Sequence, residues 1–531
     1  MFRTLVAHFA RRLVQSSGEE SSDVDMSLGA TLALLASPGV FIAIGLLDRY
    51  SSLLYYFRGK PIIQDNYPRA VGDGYTLLVF SMAVTGLVTL WKWDRILPDA
   101  IDRLNLGPLP IPARTVFLSS LAAIALVVAV FILDVNAGSM LIFPMVVTAD
   151  QQGVMGFLQF TAAHLIVLLL ASLFTFCACF SLMGALIALA PAAWFGGLSI
   201  VLRAVTGFAL LAMLLTANRG RGWLRMARTG SAGWQEWVPP VWFASLYGPL
   251  IGRDDLGAHG VWQRGLWALA IAALVALGGY IIGYRRGMEG RLVRSAARRR
   301  WPRWLLTQGA TPLERAAFRF SLQTLWRSER HSLLAVALLG AGLVIGVLQG
   351  DAGRIPFFAG FSLIVALRVA FSVPALPAAN WPFRLLAVAH GGEPARVARR
   401  LLWLHFIALV LLPTLVTSAP AVTVTAALTH AILIEALLLD FRQIPFTVRS
   451  SGFRNTRLVY ALLALVGLSL VPWAGGHIAQ WIERQPLRAL LPLALTLILF
   501  HYRRYAVEAM TSGQPPLIFE DREEDVIRLR L

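Results

Sequence analysis

Stretches of about twenty apolar residues recur from residue 27 to residue 502, and they constrain this chain more than any other feature. A hydrocarbon core about 30 Å thick is crossed by roughly 20 such residues in a helix. Backbone polar groups in lipid must be satisfied within the chain, so the runs are expected to be α-helices. Twelve runs qualify: Ser27–Leu47, Gly74–Leu90, Thr115–Leu133, Gly156–Leu189, Trp194–Ala217, Gly265–Tyr284, Ser332–Gln349, Pro356–Leu376, Leu401–Val416, Ala421–Leu439, Leu458–Trp473 and Leu487–Tyr502. Gly156–Leu189 is long for one upright span and short for two, and it reads as a single helix that leaves the bilayer. Composition agrees: 57% of the residues are hydrophobic and 14% charged, against about 45–50% and 25% in soluble domains. The expected fold is all-α and polytopic, about twelve transmembrane helices in two six-helix halves.

The halves meet at an arginine-rich stretch. The expected organisation is an amphipathic N-terminus (1–26), a first half (27–284), a basic linker (285–331), a second half (332–502) and a tail (503–531). Phe2, Leu5, Val6, Phe9 and Leu13 fall at helical spacing between Arg3, Arg11 and Arg12. That pattern predicts a surface-lying amphipathic helix rather than a cleaved leader, whose apolar core would be followed by a small-residue site. Each half joins its second and third spans by a substantial segment, Lys92–Arg114 and Pro377–Arg400. No repeat is visible residue by residue, so the duplication rests on layout.

Basic residues number 47 against 29 acidic ones, for a net charge of +18. In a chain this apolar the excess points to anionic lipid rather than nucleic acid. With the N-terminus inside, the inner segments carry more than twice the Lys and Arg of the outer ones, and Arg285–Arg330 contributes most. The expectation is an inner (plasma) membrane protein with both termini cytoplasmic. Trp91, Trp93, Trp194, Trp223 and Trp473 near span ends suit interfacial anchoring.

Catalytic signatures are sparse. Neither Lys60 nor Lys92, the only lysines, follows the glycines of a phosphate-binding loop, and H-E-x-x-H, G-x-S-x-G and C-x-x-C do not occur. The chain is therefore expected to be no enzyme and to need no cofactor or metal of its own. Cys177 and Cys179 point to different faces of a helix, which argues against joint ligation. Ionisable residues at membrane depth remain: Glu435, Asp134, Arg368 and Arg203, with His164, His405 and His430. Such groups face a cavity or a partner. Glu435 is the deepest acid, and Asp134 is expected at the end of its span beside Asn136, within reach of water. The histidines lack ligand spacing.

The segment Trp91–Pro110 combines interfacial tryptophans, alternating charges (Asp94, Arg95, Asp99, Asp102, Arg103) and the stretch Leu106-Gly107-Pro108-Leu109-Pro110. It resembles the cytoplasmic loop between the second and third helices of type-2 ABC exporter permeases, which carry an L-x-P-L-P stretch there. Asn380-Trp381-Pro382-Phe383-Arg384 and Gln443–Thr447 are compatible with it. The resemblance implies that Asp94–Leu109, with Trp381 and Arg384 in the second half, docks on a separate ATPase subunit, itself a dimer that binds the ATP. It also implies that Phe2–Val14 lies along the inner membrane face. Twelve spans would make one chain a whole pathway. Two other readings stay open: a polytopic membrane enzyme such as a lipid or glycan transferase using Asp99 and Asp102 or Glu435, and an ion-coupled secondary transporter using Glu435.

Overall fold

The structure is a computed structural model. It describes residues 1–14, 39–46, 50, 67–93, 96–97, 102, 104, 106, 108–148, 153–230, 233–256, 260–288, 311–373, 375, 383, 393–438, 441, 443–447 and 456–510. Among these every regular element is a helix. The chain divides into two compact units, Met1–Ser295 and Ala296–Leu531.

The first unit contains α1 (Phe2–Val14), α2 (Tyr67–Lys92), α3 (Ala113–Thr148), α4 (Gly153–Leu189), α5 (Ala192–Leu215), α6 (Ala217–Arg228), α7 (Pro239–Ala244), α8 (Tyr247–Ile251) and α9 (Val261–Met288). Residues 39–45 are also helical. The long run 156–189 is one unbroken helix, as its composition suggested. At 1.5 Å per residue its 37 residues reach about 55 Å, well beyond the hydrocarbon thickness. α4 and α9 meet backbone to backbone: a methyl group placed on Gly184 would lie 2.6 Å from Gly279 Cα. Close approach of this kind is how helices associate in lipid, where no hydrophobic drive separates them from acyl chains. Ser181 Oγ adds a hydrogen bond to the Ala272 carbonyl at 2.7 Å across the same seam.

The second unit contains α10 (Pro312–Arg327), α11 (Glu329–Leu348), α12 (Ile355–Ala370), α13 (Glu393–Phe406), α14 (Leu412–Thr417), α15 (Pro420–Leu437), α16 (Thr456–Arg484) and α17 (Leu490–Met510). A π-helical turn, Ile407–Leu411, joins α13 to α14 just ahead of Pro413, whose missing N–H cannot continue the ordinary ladder. Its core centres on Leu363, Leu367, Phe371, Leu402, Phe406 and Ile434.

Among the described residues nine helices are long and apolar enough to cross a membrane. Three of the twelve expected runs are not among them. Ser27–Leu47 lies mostly outside the described residues, Leu458–Trp473 falls on α16, where side chains before Leu470 lie outside them, and Leu487–Tyr502 belongs to a shorter apolar helix, Pro486–Tyr502. Span limits shift as well. α3 continues past Leu133 through Pro144, with Asn136, Ser139 and Thr148 returning hydrogen bonds to their own helix backbone. Residues 312–327 and 329–331, expected in the basic linker, are helical and belong to the second unit.

Candidate functional site

Three buried polar assemblies organise the chain. The first joins α1 to the segment ahead of α3. Leu5, Phe9 and Leu13 are buried at i, i+4 and i+8, with Leu5 and Phe9 against Val116 and Ala123 of α3. The apolar stripe expected to rest on lipid is thus largely covered by protein. Arg12 forms an ion pair with the buried Asp102 and donates to the Leu97 carbonyl at 3.2 Å, and His8 Nε2 stands 3.8 Å from the same carboxylate. Asp102 therefore faces α1. Asp94, Arg95, Asp99, Arg103, Trp381 and Arg384, the other residues of the expected docking loop, lie outside the described residues.

The second assembly repeats this plan in the other unit with different residues. Thr311 caps α10, its hydroxyl accepting from the Glu314 amide at 3.2 Å, and Pro312 sits at the first helical position. Leu313, Ala317, Phe318, Ser321, Leu322 and Leu325 form the buried stripe. Glu314 is fully buried and pairs with Arg396 and Arg400 (3.3 Å to the latter) on the first turns of α13. Thr311 Oγ1 donates to Glu393 at 2.6 Å, and Trp326 donates to His405 at 3.1 Å. In the same unit Arg399 grips Glu435 with two hydrogen bonds, at 2.6 and 3.0 Å. Arg368 donates to the Leu437 carbonyl at 3.1 Å and lies over Phe441 at 4.8 Å. Arg399 and Arg368 thus both reach the C-terminal end of α15, one through Glu435 and the other through the Leu437 carbonyl, where a cation suits the last carbonyls of the helix.

The third assembly is a cap, α6–α8, folded onto α2, α4 and α9. Arg221 of α6 pairs with the buried Asp73 of α2 at 2.8 Å, and the Tyr50 hydroxyl donates to the other carboxylate oxygen at 2.8 Å. His164 Nδ1 and the Tyr247 hydroxyl share a 2.5 Å hydrogen bond, and Gln159 donates to the Ile251 carbonyl at 2.8 Å. Burial pushes the Tyr247 phenol well above its ordinary range, so it stays neutral. At the cap surface the Arg253 guanidinium holds the exposed Asp255 carboxyl below the usual range. Gly220 lets α6 press onto the Tyr75 ring, and Gly265 lets α9 pass beside Trp242.

Arg203 is buried on α5 over the Trp93 ring at 5.1 Å. Asp134 is half-buried in the middle of α3, which runs on to Thr148. Asp134 and Arg203 belong to the first unit, Glu435 and Arg368 to the second.

Asp73, Arg221, Glu314 and Arg396 escaped notice in the sequence because their partners lie 82 to 148 positions away. One signal was readable: Thr311-Pro312-Leu313-Glu314 ahead of an apolar stripe is a helix start.

These helices define a polytopic α-helical membrane protein. Compared with protein-family models, curated proteins and solved structures, the chain finds no match.

Proposed function

We propose that this chain is the permease subunit of an ABC-type exporter: it forms the substrate pathway and is driven by a separate ATP-hydrolysing subunit on the cytoplasmic side. The observation that carries this reading is the repeated seating of an amphipathic helix. α1 packs on α3 through Leu5 and Phe9 and is pinned to the segment ahead of it by Arg12–Asp102, and α10 sits on the start of α13 through Glu314 with Arg396 and Arg400. In both units a buried charge fixes an amphipathic helix: α10 directly to α13, and α1 to the segment ahead of α3 while Leu5 and Phe9 pack on α3 itself, so a push on that helix is transmitted to a span rather than absorbed by a loose tail. Two such levers in one chain suit a pathway made of two halves and a motor that is itself a dimer. The bidentate Arg399–Glu435 pair supports this over ion coupling, since a carboxylate gripped twice by guanidinium is poorly placed to release and take up a proton in turn.

The test is expression with and without a neighbouring gene product that carries a phosphate-binding loop. The expected result is co-purification of the two, with ATP hydrolysis belonging to the pair and not to this chain alone. Transferase activity, or ion-driven transport, by the chain without that subunit would replace this reading with the membrane-enzyme or the secondary-transporter reading.

A further inference from the structure

We propose that the outer face of α6, together with the Trp234–Trp237 turn, is a seat for the phosphodiester headgroup of an anionic phospholipid in the surrounding membrane. The depth of this surface follows from the chain on either side of it. The apolar stretch Phe195–Leu215 ends two residues before α6 begins, and the span Val261–Arg286 begins just after the cap. Arg264, in the first turn of α9, pairs with Glu236 at 3.1 Å and lies over the Trp237 ring at 5.2 Å. Helix and turn are therefore held where two spans leave the bilayer.

The chemistry of the face is amphiphilic. Ala217, Gly220, Leu224 and Ala227 are buried, and the opposite side exposes Arg219, Arg225 and Met226. Among the described residues Arg221, Arg253 and Arg264 each have an acidic partner, but Arg219 and Arg225 have none. Trp223 and Trp234 meet edge to face at 5.2 Å. Trp234 is 61% exposed, Trp237 69% and Trp267, one turn along α9 from Arg264, 71%. Unpaired guanidinium groups recruit anionic lipid, and indole rings prefer the headgroup level. Phosphate alone would leave the tryptophans and Met226 in water, whereas a phospholipid covers both kinds of surface. The cap beneath is closely packed, so the seat is preformed.

The experiment uses the full chain in nanodiscs, with a fluorophore on Met226→Cys; Cys177 and Cys179 are buried and stay unlabelled. Quenching is compared for phosphatidylglycerol and phosphatidylcholine, each with a nitroxide near the headgroup. The expected result is stronger quenching by phosphatidylglycerol, with a preference of about fivefold for each arginine. Arg219→Gln with Arg225→Gln should abolish the preference and Arg219→Lys with Arg225→Lys should keep it. Both arginines are exposed and without an ion pair, so the fold should survive either pair of changes. Equal quenching by the two lipids, a preference that survives the glutamine variants, or displacement of phosphatidylglycerol by soluble glycerol phosphate would each overturn the assignment.

Discussion

Arg221 and Asp73 stand 2.8 Å apart across the junction of the cap and α2, with the carboxylate buried and its second oxygen taken by the Tyr50 hydroxyl. Removing one partner of such a pair leaves a buried charge without compensation, which costs several kcal/mol. Arg221→Gln is expected to destabilise the first unit by about 3 kcal/mol, the low end because the guanidinium keeps some solvent. Thermal unfolding in detergent measures it. Asp73→Asn combined with Arg221→Gln should recover a good part of that loss, and a double variant no better than the single one would show that the pair does not hold the cap.

The crossing of α4 and α9 gives a sharper contrast between neighbours. A methyl group on Gly279 meets the Gly184 backbone, and one on Gly278 meets nothing within 4 Å. Gly279→Ala should cost about 1–3 kcal/mol through overpacking. Gly278→Ala should be neutral or stabilise by up to about 1 kcal/mol, since alanine is the better helix former. Melting temperatures of the two variants, measured side by side, decide it.

Much of the first unit was legible in the sequence. α2, α4, α5 and α9 lie where apolar runs of sufficient length predict them, because in lipid run length and backbone satisfaction dominate all else. α3 was cut short because Asp134 and Asn136 look like a span end. Asn136 instead hydrogen-bonds back to its own helix backbone, as Ser139 does further along. α10 was hidden in an arginine-rich stretch, although its capping threonine and apolar stripe were readable. The buried ion pairs were not readable at all: pairing across 36 to 148 positions depends on which helices touch, and hydropathy carries no trace of that.

Arg399→Lys tests the geometry around Glu435. Arginine offers two parallel donors to a carboxylate, lysine a single point charge. The lysine variant should lose one of the two hydrogen bonds and destabilise the second unit by about 1–2 kcal/mol, and Arg399→Ala should cost more by removing both of them. Differential scanning fluorimetry ranks the three proteins. Equal melting temperatures would mean that the pair contributes no rigidity.

Arg12→Glu should loosen α1 from the segment ahead of α3 without disturbing membrane insertion, because it sets two acids face to face where the buried Arg12–Asp102 pair now fixes the helix. Limited proteolysis reads this as faster cleavage within residues 1–14. Adding Asp102→Arg restores an opposite pair and should restore protection. If the proposed motor subunit binds through this corner, Arg12→Glu should also weaken co-purification, and the double variant should regain part of it.

The two amphipathic helices are held by charges of opposite sense: α1 brings a cation to an acid, and α10 brings an acid to two cations. An exchange would set Arg12 beside Arg396 and Arg400, and Glu314 beside Asp102. Both arrangements repel, and a like charge in a buried interface discriminates strongly against the wrong mate. Each half accepts only its own helix. A chain that carries the same plan twice is exposed to swapping during synthesis, and here the signs of five side chains guard against it.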